Sequence, residues 1–240
     1  MESFVVSALQ YRPTRFEEVV GQQAITQTLQ NALDTQQLAQ SLLFCGPRGV
    51  GKTSCARILA QEINSQNGNQ SEDFAFNVFE LDAASNNLVE DIRKINEQVR
   101  IPPQVGTHKV YIIDEVHMLT QSAFNAFLKT LEEPPKHAIF ILATTEKNKI
   151  IPTILSRCQV YDFKRISVLD IQQHLTKIAI QQELKFEDEA LLLIAQKADG
   201  ALRDAFSIYD RMVSFTNGNL KTTLVAENLN VLDFDSYFYF

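Results

Sequence analysis

The sequence is short of cysteine, of long apolar runs and of basic charge, and each shortage removes a class of protein. Its three cysteines, Cys45, Cys55 and Cys158, are an odd number at spacings that fit neither a disulfide framework nor a zinc pair. They read as buried free thiols of a protein in a reducing cytoplasm. The longest apolar runs, Ala138 to Ala143 and Ala190 to Ala195, are six residues each, against the roughly 20 that a helix needs to cross a bilayer. No contact with a membrane is expected. The start carries Glu2 and no Lys or Arg before Arg12, which is the reverse of a secretory signal and argues against export. With 22 basic and 29 acidic side chains the net charge is −7, so bulk electrostatics repel nucleic acid and anionic lipid. Any DNA contact must be local.

What is present is enough to fold. The 240 residues are 45% hydrophobic and 21% charged, shares typical of a globular chain, and the length admits one large domain or two modest ones. Between residues 41 and 163 short apolar runs alternate with helical patterns, the signature of a parallel sheet flanked by helices. Strands are expected at Ser41 to Cys45, Asn77 to Leu81, Lys109 to Ile113, Ala138 to Ala143 and Gln159 to Phe163. Leu88, Ile92, Ile95 and Val99 recur at helical spacing behind the capping candidates Ser85 and Asn86. A second crossover helix follows Thr120, with Phe124, Phe127, Leu128 and Leu131 inward, and Pro134-Pro135 stops it. The polar run Asn64 to Asp73 reads as a surface loop. From Ser167 onward strand signals vanish, and three helices are expected around Ile171 to Ile178, Ala190 to Ala195 and Leu202 to Val213. The expected organisation is an α/β domain over 1–165 and a small helical domain over 166–230. Residues 231–240, with five aromatics between Phe234 and Phe240, read as the cut start of a further element.

Two motifs carry chemistry. Gly46-Pro47-Arg48-Gly49-Val50-Gly51-Lys52-Thr53 fits G-x-x-x-x-G-K-[ST], directly after an expected strand and at the opening of an expected helix. Glycines let backbone N–H groups curl around an anion, the helix N-terminus adds a favourable dipole, and Lys52 supplies a point charge for the outer phosphates. Thr53 is placed to ligate Mg²⁺, with Ser54 next to it. Val110-Tyr111-Ile112-Ile113-Asp114-Glu115 then sets two carboxylates at the end of a buried strand, where open α/β sheets bind ligands. Asp114 would hold the metal through its water shell and Glu115 would orient the water that attacks the γ-phosphate. His108, His117, His137 and His174 show no paired spacing that would ligate a transition metal and read as surface or hydrogen-bonded core residues.

With their neighbours these motifs resemble the AAA+ motor subunits (γ/τ) of the bacterial replicative clamp loader. The likeness extends over nearly the whole chain through Tyr11-Arg12-Pro13, Val19-Val20-Gly21-Gln22, Glu80 to Ser85, Ile113 to Leu119, Leu128 to Pro135, Leu142-Ala143-Thr144-Thr145, Ile154 to Cys158 and Gly200 to Ala205. The resemblance implies an AAA+ P-loop domain with a five-stranded parallel sheet and a helical lid. It implies an ATPase of the DNA polymerase III holoenzyme, using ATP and Mg²⁺, that opens the sliding clamp and loads it on primer–template DNA beside other clamp-loader subunits. Leu9, Tyr11, Arg12, Pro13, Val19 and Val20 match the adenine and ribose pocket, Thr145 the γ-phosphate sensor, Arg203 the lid arginine, and Arg157 the finger reaching a neighbouring subunit's ATP. In that family DNA is held by its backbone inside a spiral of subunits, which suggests Ser85 and the following helix, with Arg93 and Lys94, as a contact surface. The family's four-cysteine zinc module corresponds here to the cysteine-free run Asn64 to Asp73, so zinc is not expected, and the family's collar domain would begin about where this chain stops. Two rival readings are a stator that holds ATP without turning it over and a small-molecule kinase using the same loop.

Overall fold

The computed structural model describes residues 5–65 and 76–230. In chain order its helices are α1 (Ser7–Gln10), α2 (Gln23–Asp34), α3 (Lys52–Ser65), α4 (Val89–Val99), α5 (Gln121–Glu132), α6 (Pro152–Leu155), α7 (Val168–Gln181), α8 (Asp188–Lys197), α9 (Leu202–Phe215) and α10 (Thr222–Asn228). Its strands are β1 (Ser41–Cys45), β2 (Val78–Asp82), β3 (Lys109–Asp114), β4 (Ala138–Thr144), β5 (Gln159–Asp162), β6 (Lys185–Phe186) and β7 (Asn219–Leu220). Two compact units result. One holds Pro13–Pro47 and Gly51–Phe163; the other holds the described parts of Met1–Arg12, Arg48–Val50 and Lys164–Phe240.

The first unit is built on the five expected strands, all parallel, in the order β2-β3-β4-β1-β5. Burial follows position. Every residue of the inner strands β1 and β4 is buried, which is why both read as unbroken apolar runs, whereas the edge strands β2 and β5 are only partly covered. Register aligns a row of rings. Phe79 lies opposite Tyr111 and Tyr111 opposite Phe140, stacked at 5.0 and 5.4 Å, and Phe127 of α5 meets Phe140 edge-on at 5.3 Å. Helix α5 starts as expected: Thr120 Oγ1 accepts from Ala123 N at 3.2 Å. Phe124, Phe127 and Leu131 are buried, and the helix ends before Pro134.

Two local expectations differ. The α4 helix begins later than Ser85, because the turn after β2 consumes that stretch: Asp82 Oδ1 accepts from Ala84 N at 2.9 Å, and its carbonyl from Ser85 N and Asn86 N at 3.1 and 3.0 Å. Leu88 therefore stands outside the helix, 56% exposed, with its N–H on the Asp91 carboxylate, while Ile92, Ile95 and Val99 are buried. Asn64 is not in a loop either. It sits in α3, fully buried, and its Oδ1 accepts from His108 N at 3.3 Å. The rest of that polar run, from residue 66, lies outside the described residues.

The second unit contains the three expected helices α7, α8 and α9, and also α10 and the parallel pair β6·β7, where Lys185 faces Asn219 and Phe186 faces Leu220. Strands of two residues are too short to show a period, and α10 adds only Val225 to the helix burial. Ser167 caps α7, accepting from Asp170 N at 3.1 Å. The unit's centre is Ile171, Leu175, Ile178, Leu191, Ile194, Phe206, Tyr209 and Met212. The beginning of the chain is pinned into it. Ser7 donates both its N–H, at 2.9 Å, and its hydroxyl to the Asp210 carboxylate. Tyr209 donates to Gln182 Oε1 at 2.9 Å, and Gln182 Nε2 donates to Tyr11 Oη at 3.1 Å. The aromatic tail Phe234 to Phe240 lies outside the described residues. Among the described residues no helix is long and apolar enough to cross a membrane.

Candidate functional site

Strand order places the C-terminal ends of β1, β3 and β4 side by side, and the chemistry-bearing residues of the first unit collect there. The loop from Gly46 to Gly51 leaves β1 and enters α3. Gly46 has φ +147, and a Cβ there would meet the Phe163 carbonyl oxygen and stand 2.9 Å from Phe163 Cβ, so no side chain fits. Its N–H is tied to Thr144 O at 3.2 Å. Lys52, the first residue of α3, is 6% exposed; its Nζ donates to the carbonyls of Gly46 and Pro47 at 2.7 and 2.8 Å and braces the curl of the loop. Val19 is buried, with its side chain 3.6 Å from where a Gly51 Cβ would stand. Val20 is half-buried nearby in sequence, as is Pro13.

Across from the loop, Thr53 Oγ1 donates to Asp114 Oδ2 at 2.7 Å, and Asp114 Oδ1 accepts from Glu115 N at 2.9 Å. A hydroxyl and a carboxylate in contact, at a helix N-terminus whose first amides have no intrahelical partner, suit Mg²⁺ taken mainly by water and phosphate oxygens with one or two protein ligands. Glu115 is left-handed, at φ 49 and ψ 42, a conformation that costs a non-glycine residue about 1 kcal/mol or more. Its Oε2 accepts from Thr145 Oγ1 at 2.9 Å and Thr145 N at 3.3 Å. The acid at the end of β3 and the threonine after β4 are thus brought together.

The second unit holds the remaining loop residues. Gly49 O accepts from Leu202 N at 3.0 Å, and a Gly49 Cβ would lie 3.2 Å from Ala201 Cβ and 3.3 Å from Arg203 Cβ. Arg203, exposed in the first turn of α9, therefore neighbours the loop tip Arg48–Val50 inside this unit. Tyr11 packs its ring 6.4 Å from Phe206, and Leu9 is 63% exposed on α1; Arg12 follows, half-buried. Ser54 is half-buried in α3 of the first unit.

Arg157 has its partners on the α5–α6 edge. Its guanidinium donates to Glu132 Oε1 at 2.7 Å, Thr153 O at 2.6 Å and Ser156 Oγ at 3.2 Å. Ser85, Arg93 and Lys94 are all exposed. Sequence reading missed Glu132 as the arginine's partner, and it left His117 without a role. His117 is 6% exposed at its side chain and stands among Glu115, Thr144 and Glu146. No spacing rule flags either, since each becomes a partner only when two strand or helix ends converge.

Residues 21–167 match the family described as DNA polymerase III, delta subunit, and residues 170–218 match the clamp loader subunit ATPase lid domain. The tau subunit of DNA polymerase III from Bacillus subtilis (strain 168) is 50% identical over 229 residues, covering 88% of this chain and 40% of that protein. The gamma subunit from Buchnera aphidicola subsp. Baizongia pistaciae is 38% identical over 250 residues, covering 99% of this chain and 68% of that protein. The chain belongs to the γ/τ clamp-loader family of DNA polymerase III. Against several curated relatives it spans about 40% of their length. The fold is shared more widely: a Thermotoga maritima RuvB Holliday junction branch migration motor superposes with a TM-score of 0.71 at 22% identity, over 92% of this chain and 73% of that one. The architecture is therefore the AAA+ α/β P-loop fold with a helical lid domain.

Proposed function

We propose that this clamp-loader family member binds ATP with Mg²⁺ and hydrolyses it within a multisubunit assembly, in which the change of nucleotide state helps open a sliding clamp and place it on primed DNA. One observation carries the reading: Lys52, Thr53, Asp114, Glu115 and Thr145 converge at three adjacent strand ends, with Thr53 and Asp114 in contact and Glu115 on Thr145.

Lys52 and the loop amides would hold the β- and γ-phosphates, and Thr53 with Asp114 would hold the metal. Bound Mg²⁺ would neutralise charge developing between those phosphates. Glu115 would orient the attacking water and take up its proton, since a carboxylate anchored through one oxygen offers the other. Thr145, already on Glu115, reports where the γ-phosphate lies, and Arg203 serves the nucleotide from the lid. Leu9, Tyr11, Arg12, Pro13, Val19 and Val20 would enclose the base and ribose. Arg157 would act in the neighbouring subunit's site. Ser85, Arg93 and Lys94 would meet the DNA backbone, so that affinity falls steeply with salt and hardly varies with base sequence. The three thiols fit a cytoplasmic location, where reducing conditions keep them unpaired.

The test is ATP turnover by the full-length protein, alone and assembled with its partner subunits, clamp and primed DNA. Turnover should be weak alone and rise strongly on assembly, and Arg157→Ala in the assembled complex should lower kcat about a thousand-fold with ATP affinity kept. Tight ATP binding without turnover in the full assembly would replace this reading with the stator, and phosphate transfer to a metabolite with the kinase.

A further inference from the structure

We infer that His117 is a positioning residue for Glu115, fixing which carboxylate oxygen faces the attacking water. The inference rests on the reading of Glu115 given above. His117 lies in the 3₁₀ turn Val116–Met118 that follows Glu115, and the turn is closed by Met118 N on Glu115 O at 2.8 Å. The imidazole is thereby folded back beside the carboxylate two residues earlier. Its Nδ1 stands 3.0 Å from Thr144 Oγ1 and 3.4 Å from Glu115 Oε2, and its Nε2 stands 3.4 Å from Glu146 Oε1. Thr144 is fully buried and the His117 side chain is 6% exposed, so the ring nitrogens must find their partners in the protein. Glu146 is held in turn by Lys149 Nζ at 2.8 Å.

The oxygen assignment gives this arrangement its meaning. Thr145 Oγ1, Thr145 N and His117 Nδ1 all approach Glu115 Oε2. Two donors from Thr145 hold that oxygen, and the imidazole, itself held on Thr144 Oγ1, packs against it, so the carboxylate's rotation is fixed and Oε1 is the atom turned to a water. Thr145 alone would let the group swing about that contact. With the ring wedged between Glu115 on one side and Glu146 on the other, the swing is blocked. His117 touches neither nucleotide nor water in this scheme; it acts through Glu115.

The experiment uses the full-length protein in the assembled complex with clamp and primed DNA. Replacing His117 by Ala should lower kcat about ten-fold, because the carboxylate is then free to turn about its Thr145 contact, while the Kd for ATP stays within about two-fold. Replacing it by Asn, whose amide can reach Thr144 Oγ1 and fill the space beside Glu115, should recover most of the loss. In a Glu115→Gln background the His117→Ala change should alter the residual single-turnover rate less than about two-fold, because the carboxylate it positions is gone. If His117→Ala leaves kcat unchanged, or slows the Glu115→Gln protein by the same factor as the wild type, the positioning role is wrong. If Glu115→Gln itself turns over normally, the role of Glu115 fails first and His117's with it, an outcome distinguishable from the previous two.

Discussion

Single residues of the candidate site fall into two groups, those whose chemistry demands a residue type and those whose role demands only a neighbour. Lys52, Thr53, Asp114 and Glu115 announce themselves by motif and strand end. Glu132 and His117 do not, because an ion pair with Arg157 across 25 positions and a ring between two strand ends exist only after folding. Two outcomes follow from the geometry of the loop. Lys52→Ala should abolish measurable ATP binding by calorimetry, as the polyphosphate loses its main cationic partner; unchanged affinity would remove Lys52 from the site. Gly46→Ala forces both a disfavoured φ and a clash with Phe163. It should lower unfolding free energy by about 2–3 kcal/mol in a urea titration, and a loss under about 0.5 kcal/mol would mean that the loop relaxes freely.

At the scale of elements, periodicity located every strand of the five-stranded sheet and the helices α4, α5, α7, α8 and α9, since buried parallel strands must be apolar throughout and half-buried helices must repeat. Ends were harder. The start of α4 moved because Asp82 claims the following amides for a turn, a competition between side chain and helix that composition does not reveal. The pair β6·β7 was invisible because two residues carry no period. The α5 start, by contrast, was readable as Thr120 followed by an apolar repeat. Thr120→Ala should cost about 1 kcal/mol of stability, measured as a lower urea midpoint with an unchanged slope.

For the whole molecule, the placement of the thiols sets a limit on alkaline stability. Burial pushes Cys45 up to about 11, and Cys55 and Cys158 to about 12, from an ordinary 9.0. Below pH 9 both folded and unfolded chains keep these protons, so the thiols add no pH dependence. Above it the unfolded chain releases protons that the folded chain retains, and stability falls as pH rises towards 11–12. Under reducing conditions, unfolding free energy at pH 10.5 should be lower than at pH 8 by at least about 2 kcal/mol, and Cys55→Ala should reduce that difference. An equal stability at the two pH values would place the thiols in contact with solvent. The tie between Ser7 and Asp210, 203 positions apart, has a bearing on biosynthesis. A ribosome adds roughly 5–20 residues per second, so α1 emerges and then waits roughly 10–40 s for α9. During that interval Ser7, buried in the folded chain, lacks its Asp210 partner, whereas the sheet, complete by β5, can already be assembled. Nascent chains stalled just short of residue 210 should therefore protect the sheet from protease while leaving the amino-terminal helix open to cleavage.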